Sequence, residues 1–312
     1  CYDVKKLRER IIVMYTYDIR QWLIFFYIYC FLGWCFESTY VSIKEKKWVN
    51  RGFMKGPFLP IYGSGAICVL VASLPFKQWP VAVYFGGAIA ATLLELVTGI
   101  VMESLFKVRY WDYTPKPFNY KGYICLGSSI TWGFFSLGMV YIFHKPIEKF
   151  VFLFSSNALT IIAVVVTGYV SIDFARSFKT AMDLRNMLVK AEQVLEEIRR
   201  LQKRIEVIET FKQLDLQQKA KSALEKKPRL MECLEDIQQR VDTIRHSAPT
   251  EYLDQFKDEI ADVKEKAIIF KERLSNQFSY DKVAMLKRNP SATSKQYQSI
   301  LDEIRTAEKK YK

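Results

Sequence analysis

The sequence predicts an all-α protein in which a polytopic membrane helix bundle of about five spans precedes a cytoplasmic coiled-coil or helical-bundle tail. Long apolar runs fill much of residues 21–178, whereas residues 179–312 are rich in charged side chains at helical spacing. A hydrocarbon core of about 30 Å needs about 20 helical residues, and the apolar runs reach or approach that length. The near-zero mean hydropathy therefore averages an apolar half and a polar half.

The predicted membrane domain, residues 21–178, contains the spans. In chain order they cover about 22–43, 57–74, 79–106, 123–143 and 151–178. Lysine and arginine concentrate after the first and third spans, at Lys44, Lys46, Lys47, Arg51, Lys55, Lys107, Arg109, Lys116 and Lys121. Because loops rich in these residues stay in the cytoplasm, we expect both loops and the tail on the cytoplasmic side of the cell (inner or plasma) membrane, which the chain crosses several times.

The amino-terminal flank, residues 1–20, conflicts with this orientation because it is also basic. Its cations before the first span include Lys5, Lys6, Arg8 and Arg10. Three explanations stay open: the native chain starts at Met14, the flank is an interfacial amphipathic segment on the lipid headgroups, or Cys1 carries the lipid of a mature lipoprotein.

The tail, residues 179–312, is predicted to be helical. No proline or glycine occurs between Val170 and Lys227, so the fifth span is expected to continue out of the membrane as one helix. Its apolar residues follow heptad spacing with one stammer, at Leu184, Leu188, Ala191, Leu195, Ile198, Leu201, Ile205 and Ile208. This pattern is typical of a coiled coil. We therefore expect a homo-oligomer formed through the tail, or docking of a partner, and no nucleic acid, because acidic residues nearly match basic ones.

Several function classes have no support in the residue types present. The chain has six scattered cysteines and two histidines, with no zinc-ligand spacing and no Ser/His/Asp arrangement. The Walker A pattern of ATP-hydrolysing proteins does not occur either. We expect no enzyme, no catalytic residue, no cofactor and no metal. A membrane-embedded lipid-modifying enzyme with Glu37 and Asp112 as acid and base is the alternative.

Three glutamates, Glu37, Glu95 and Glu103, lie inside the predicted spans. An ionised side chain at the bilayer centre costs about 2.5 to 3.5 kcal/mol on insertion scales, so such a residue indicates function unless a structural partner explains it. Glu37 and Glu95 are expected about 10 Å below the cytoplasmic boundary, and Glu103 near the headgroups. Lys107 could pair with Glu103.

The structural alternatives for Glu37 and Glu95 are the same. Either carboxylate could form a buried ion pair with Arg51 or Arg109, or could be protonated and hydrogen-bonded to Tyr40 or Tyr62. The functional alternative is an acidic floor beneath the two basic loops, which would take a cation, a proton, or an amine-bearing or amphipathic solute. The residues proposed for this site are Glu37, Arg51, Glu95, Glu103, Trp111, Asp112 and Asn119.

The start of the second span contains residues that shape the backbone. They are Gly52, Gly56, Pro57, Pro60, Gly63 and Gly65. Prolines and glycines here can leave backbone groups unpaired, which is tolerated at membrane depth only where protein or a watery cavity covers them. Discontinuous helices of this kind often bind substrate in transporters. Alternatively, Gly56 and Pro57 simply start a helix, while Gly63 and Gly65 allow close helix packing.

A series of motifs across residues 20–145 resembles the ABC-transporter type IV (CmpB-like) permease family. The motifs are Gly33-Trp34 with Glu37, Asn50-Arg51-Gly52-Phe53, Gly56-Pro57, Pro60-Ile61-Tyr62-Gly63, Glu95, Glu103, Trp111-Asp112-Tyr113, Pro117, Asn119, and Gly122 with Ile124-Cys125-Leu126. The resemblance implies a bacterial multi-span membrane protein, and a separate ATPase subunit would have to hydrolyse ATP. The long tail departs from the shorter forms of the family.

Two functions follow as expectations. The first is a permease or transport component, in contact with membrane lipid, with an acidic polar site near the cytoplasmic leaflet. The second is a non-transporting membrane anchor or sensor that presents the coiled coil to partners, in which the glutamates only hold helices together.

Overall fold

The computed structural model describes residues 17–212, 261–262, 265, 268 and 280–307, and these are mainly helical. In chain order the helices and strands are α1 (Ile19–Glu45), α2 (Pro60–Ser73) with a 3₁₀ turn (Leu74–Phe76), α3 (Pro80–Phe106), β1 (Asn119–Tyr120), β2 (Ile124–Cys125), α4 (Leu126–Gly138), a π-helix (Met139–Phe143), α5 (His144–Phe152), α6 (Ser156–Lys212), α7 (Tyr280–Arg288) and α8 (Gln298–Ala307). The two strands form an antiparallel hairpin that pairs Asn119 with Cys125.

The described residues contain four helical stretches long and apolar enough to cross a membrane. They are Ile19–Glu45, Pro80–Phe106, Leu126–Phe152 and Ser156–Leu201. The apolar helix Pro60–Phe76 is shorter. The predicted all-α membrane bundle is therefore confirmed, but with four such helices instead of about five, because the second predicted span, 57–74, is helical only from Pro60 onward.

The first part of that second span is a non-helical segment, residues 46–59, which we call the re-entrant segment. Helix α1 ends where Lys46 adopts a left-handed backbone conformation with φ of 52°. The segment then returns along α1, since the Leu59 amide donates to the Cys30 carbonyl oxygen at 3.1 Å. Cys30 precedes Glu45 by about 22 Å of helix, so the re-entrant segment reaches the middle of the bundle before Pro60 starts α2.

Helix α6 covers the re-entrant segment from the side. The Gly56 amide donates to Asp173 Oδ2 at 2.8 Å, and Asp173 is buried. Met54, at 0 % exposed, packs with Tyr27 of α1 and Val170 of α6. The irregular backbone is thus enclosed by protein, as the physics of the bilayer interior requires. Asp173 was missed by the sequence analysis although it lies in the predicted fifth span.

Substituting Asp173 by alanine tests this role. The Gly56 amide would lose its buried acceptor, and an unsatisfied buried donor costs about 1–3 kcal/mol. We expect a clearly lowered unfolding temperature for purified Asp173→Ala and a much smaller change for Asp173→Asn, whose amide oxygen keeps an acceptor. Equal unfolding temperatures for the alanine variant and the parent protein would contradict the role.

The contact between α1 and α2 depends on glycine. A Cβ atom at Gly33 would lie 2.3 Å from Tyr62 Cβ, and one at Gly63 would lie 2.4 Å from Cys30 Sγ. Gly63 therefore permits close packing, as one alternative proposed. Gly65 does not have this role, because its Cβ would meet only Leu94 Cδ2 at 3.8 Å, an ordinary contact.

Helix α6 continues unbroken to Lys212, as expected from the absence of proline and glycine. The heptad residues with described side chains are buried, namely Leu184, Leu188, Ala191, Leu195, Ile198 and Leu201. The side chains of Ile205 and Ile208, most of the tail beyond Lys212, and the flank 1–16 lie outside the described residues. The predicted coiled coil therefore stays a prediction there.

The chain forms two compact units. Residues 17–182 belong to the same unit as the distant segment Ala284–Thr293, and we call this the membrane unit; the other unit includes the helix from Asp183 onward and the residues from Ser294. Within the membrane unit, Met285 is buried in an apolar cluster with Phe106, Tyr110 and Ala181. We call the end of the bundle where α1 and α3 finish the basic end, and the opposite end the distal end.

Candidate functional site

Glu37 is bound by two partners on the re-entrant segment and α2. Arg51 Nε lies 3.4 Å from Glu37 Oε1, and the Tyr62 hydroxyl donates to Glu37 Oε2 at 2.6 Å. The Arg51 side chain is 11 % exposed and that of Glu37 is 25 % exposed, so the ion pair is only partly hydrated. The ion pair with Arg51 proposed for Glu37 is therefore present, and Tyr62 donates to the same carboxylate, so Tyr62 is a partner of Glu37 without the protonated carboxyl group of the second alternative.

Arg51 also joins separate parts of the membrane unit. Its guanidinium donates to Asn289 Oδ1 at 2.9 Å, to Ser291 Oγ at 3.1 Å and to the Tyr110 carbonyl oxygen at 3.3 Å. The Asn289 amide in turn donates to the Gly52 carbonyl oxygen at 3.1 Å. The segment Ala284–Thr293 thus forms part of the basic end. Sequence analysis did not find it, because no local pattern reports contacts over more than 200 residues.

Glu95 has a different environment, formed by neutral donors. It is 6 % exposed and accepts hydrogen bonds from the Tyr113 hydroxyl at 2.9 Å, Trp132 Nε1 at 3.0 Å and Ser128 Oγ at 3.3 Å. None of the four partners proposed for Glu95 from the sequence is among these residues; the proposed partners were Arg51, Arg109, Tyr40 and Tyr62. Burial, and next the nearby Glu95, raise the pKa of Tyr113 well above its ordinary value, so the phenol remains a neutral donor.

The surroundings of Glu37 and Glu95 adjoin each other. The rings of Tyr62 and Trp132 are in contact, with centroids 6.4 Å apart. We therefore treat them as one carboxylate cluster, composed of Glu37, Arg51, Tyr62, Glu95, Tyr113, Ser128 and Trp132. It contains two acids and one base, drawn from α1, the re-entrant segment, α2, α3, α4 and the loop after α3.

Glu103 belongs to a second ion-pair group at the basic end. Arg109 Nε lies 2.7 Å from Glu103 Oε2, and Arg109 Nη1 lies 3.7 Å from Asp112 Oδ1. Arg109 is 4 % exposed and also stacks over the Tyr123 ring at 4.6 Å. Burial is the largest single influence and lowers the pKa of Arg109, but the hydrogen bond and charge of Glu103, together with Tyr123 and Asp112, raise the pKa overall. Sequence analysis named Arg109 as a basic loop residue and as a possible counter-ion for Glu37 or Glu95, but gave Lys107 as the possible partner of Glu103.

The remaining predicted site residues shape the loop between α3 and α4. Trp111 Nε1 donates to the Tyr123 carbonyl oxygen at 3.0 Å, and Asp112 Oδ1 accepts from the Thr114 amide at 2.9 Å. Asn119 Oδ1 accepts from the Gly122 amide at 3.0 Å. These contacts fold the hairpin. The structure therefore brings together Glu37, Arg51 and Glu95 but gives Trp111, Asp112 and Asn119 bonds within their own loop.

The residues predicted to shape the backbone have different roles in the structure. Gly52 has a φ of 133° and offers its carbonyl oxygen to Asn289, while Gly56 offers its amide to Asp173. Pro60 occupies the first turn of α2, where its missing amide hydrogen is not needed. Pro57 lies in the non-helical segment. The alternative in which Gly56 and Pro57 start the helix is therefore wrong.

The carboxylate cluster shows no metal-site geometry. Within the residues that the structure describes, no group of three or more histidine, cysteine, aspartate and glutamate side chains could hold a metal ion. Both glutamates instead use their oxygens to accept hydrogen bonds from side-chain donors. The arrangement can hold a negative charge or a proton inside an apolar bundle.

Four long apolar helices, an enclosed non-helical segment and a carboxylate cluster define a polytopic helical membrane protein with a polar site inside the bundle. Residues 24–178 match the family model described as "Putative ABC-transporter type IV", and through this segment the chain belongs to that family. The match confirms the resemblance found in the motifs. It includes the whole carboxylate cluster but not Ala284–Thr293. No curated protein and no solved structure was found to match the chain.

Proposed function

We propose that this protein is the permease component of a membrane transport system, and that Glu95 binds a proton or a monovalent cation on the transport path. The supporting observation is the environment of Glu95, which is 6 % exposed and hydrogen-bonded to neutral side chains. A carboxylate without a fixed counter-ion in apolar surroundings gains or loses a proton more readily than one held by arginine.

Glu37 and Arg51 have a positioning role in this proposal. Their ion pair ties α1 to the re-entrant segment, and Tyr62 connects it to the ring of Trp132 beside Glu95. Discontinuous helices of this type line substrate sites in other transporters. The basic residues of the adjoining loops favour an orientation with this end and the tail toward the cytoplasm of a cell membrane.

The proposal requires a separate ATPase if transport is driven by ATP, since this chain has no Walker A pattern. A homo-oligomer and a coiled-coil tail also belong to the proposal. The heptad side chains Leu188, Ile198 and Leu201 are already buried within one chain, at 0 %, 0 % and 3 % exposed. We therefore expect the tail to associate with a partner through a different surface.

Carbodiimide labelling tests the chemistry of Glu95 directly. Dicyclohexylcarbodiimide reacts with protonated carboxyl groups that are accessible from an apolar phase. We expect mass spectrometry of the treated protein to find the adduct on Glu95, with labelling that increases as the pH falls, and not on Glu37 or Glu103, which are paired with arginine. Equal labelling of the three glutamates, or none on Glu95, would contradict the proposed site.

Growth of cells that depend on this protein tests the function. We expect Glu95→Gln to abolish complementation at normal protein levels, because glutamine keeps the shape but cannot exchange a proton. The matched control is Glu45→Gln, at an exposed position at the end of α1, which should grow like the parent. Full growth with Glu95→Gln would exclude the transport path proposed here.

The anchor or sensor function is favoured by a different observation, the bonding of Ala284–Thr293 to Arg51 and to the loop after α3. In that function the membrane unit holds a distant part of the chain. Deleting the whole tail would also remove this segment, so a point variant is the better experiment. If Asn289→Ala abolished growth while Glu95→Gln did not, the anchor function would replace the transport function.

A further inference from the structure

A second polar cluster lies at the distal end, centred on His144. This histidine is 3 % exposed, and both ring nitrogens have partners: Nδ1 lies 2.8 Å from the Tyr29 hydroxyl and Nε2 lies 3.1 Å from the Tyr17 hydroxyl. The Tyr17 hydroxyl also donates to Glu148 Oε1. We call Tyr17, Tyr29, His144 and Glu148 the histidine cluster.

The helix that carries His144 is irregular immediately before it. The π-helix Met139–Phe143 separates α4 from α5, and such insertions are frequently found at functional sites. Buried residues of this helical stretch recur four apart, at Ser136, Val140 and His144. His144 therefore faces the interior of the bundle, where the Phe25 ring packs 5.1 Å from its own ring.

The hydrogen bonds are consistent with one assignment of hydrogens to the side chains of the histidine cluster. Because the Tyr17 hydroxyl donates its hydrogen to Glu148, its oxygen accepts the Nε2 hydrogen of His144. Nδ1 then accepts from the Tyr29 hydroxyl. A neutral imidazole in the Nε2–H form and an ionised Glu148 satisfy every group in the cluster.

The same chain of groups can take up one proton. The proton binds to Nδ1, the Tyr29 hydroxyl turns its hydrogen away, and the Tyr29 oxygen accepts the new Nδ1 hydrogen. The positive imidazolium is then linked through Tyr17 to the negative Glu148. Glu148 and Tyr17 are partly exposed, so the carboxylate that balances the imidazolium lies near the surface of the distal end.

We propose that the histidine cluster is a proton-binding site, at which His144 takes up a proton on Nδ1 while Glu148, linked to Nε2 through Tyr17, balances the added charge. The groups that face His144 are Tyr29 from α1, Tyr17 from the residues before α1, Glu148 from α5 and Lys77 from the turn after α2. Histidine is the side chain whose ordinary titration falls within the physiological pH range.

The histidine cluster is separate from the carboxylate cluster. Trp132 and His144 are about 18 Å apart along their helical stretch, and Val140, one turn before His144, belongs to an apolar core cluster with Leu70 and Val83. Proton binding by His144 does not depend on Glu95. A proton path that joins the two clusters, with one at each end of the bundle, would be a further step, and only that step rests on the proposed function.

Nuclear magnetic resonance of ¹⁵N-histidine-labelled protein tests the site. The chain has two histidines, so His246→Gln leaves His144 as the only imidazole of the full-length protein. In lipid nanodiscs we expect the Nε2–H form at high pH and a one-proton titration between pH 5 and 8. Imidazole shifts that stay constant from pH 5 to 9 in the folded protein would show that His144 is a neutral structural link, and would overturn the proposal.

Variants of Tyr17 and Glu148 complete the experiment. We expect Glu148→Gln and Tyr17→Phe to lower the proton affinity of His144 by on the order of tenfold, which corresponds to one pH unit. Glu95→Gln is the control and should leave the titration unchanged. An unchanged titration in Glu148→Gln, whose partly exposed side chain can be replaced without disturbing the core, would also overturn the proposal. If Glu95→Gln supported full growth and so excluded the proposed transport path, the titration result for His144 would still stand.

Discussion

Alanine at Gly63 is expected to destabilise the membrane unit strongly. The added Cβ would lie 2.4 Å from Cys30 Sγ and 2.7 Å from the Phe26 carbonyl oxygen, both on α1. The carbonyl belongs to the helix backbone and cannot rotate away, so α1 and α2 must separate. Overpacking of this kind costs about 1–3 kcal/mol, and the displaced α2 also carries Tyr62, the hydrogen-bond donor to Glu37.

The measurement is thermal unfolding of the purified protein in detergent, with alanine at Gly65 as the matched control. Gly65 lies one half-turn further along the same helix, and its added Cβ would make only an ordinary contact of 3.8 Å. Alanine is favoured over glycine in a helix interior by up to about 1 kcal/mol. We therefore expect Gly63→Ala to lower the unfolding temperature and Gly65→Ala to keep or raise it. Equal shifts would show that the α1–α2 contact is looser than the structure indicates.

The long apolar helices could be predicted from sequence because each depends on its own composition. The predicted spans at 22–43 and 79–106 agree closely with α1 and α3. The fourth span was predicted to end at Phe143, but the helical stretch continues to Phe152. This stretch includes the π-helix Met139–Phe143 and, three residues after it, Pro146.

The re-entrant segment could not be decided locally. Its prolines and glycines were compatible with a regular helix start and with irregular backbone, since both use the same residues. The decision depends on contacts with distant parts of the chain, such as the bond from the Gly56 amide to Asp173. Such contacts leave no periodic pattern in either segment.

The candidate site was predictable where it depends on charge. Arg51 was a plausible partner for Glu37 because opposite charges attract and both lie near the basic end, and the structure confirms this pair. Glu95 is bound by Tyr113, Trp132 and Ser128, which are neutral residue types common in membrane helices and loops. Nothing in their spacing distinguishes them from packing residues, so charge-based reasoning could not select them.

Loss of the Arg109 side chain is expected to have the other large effect on stability. This guanidinium is 4 % exposed, binds Glu103 at 2.7 Å and donates to the Lys121 carbonyl oxygen at 2.9 Å. Removing one partner of a fully buried ion pair costs about 3–5 kcal/mol; because the Glu103 side chain is 22 % exposed, we expect a loss toward the lower end of that range. We therefore expect Arg109→Ala to be poorly folded.

Chemical denaturation in detergent measures this loss, with Arg20→Ala as the comparison. The Arg20–Asp18 pair has side chains that are each 38 % exposed, and ion pairs exposed to solvent contribute little to stability. Equal losses for both variants would show that Arg109 is hydrated and does not hold the loop. The double variant Arg109→Ala with Glu103→Gln should regain part of the stability, because it removes the unpaired charge of Glu103, the closer of the two carboxylates that contact Arg109. Its recovery would separate the cost of an unpaired charge from the loss of the loop contacts that Arg109 makes.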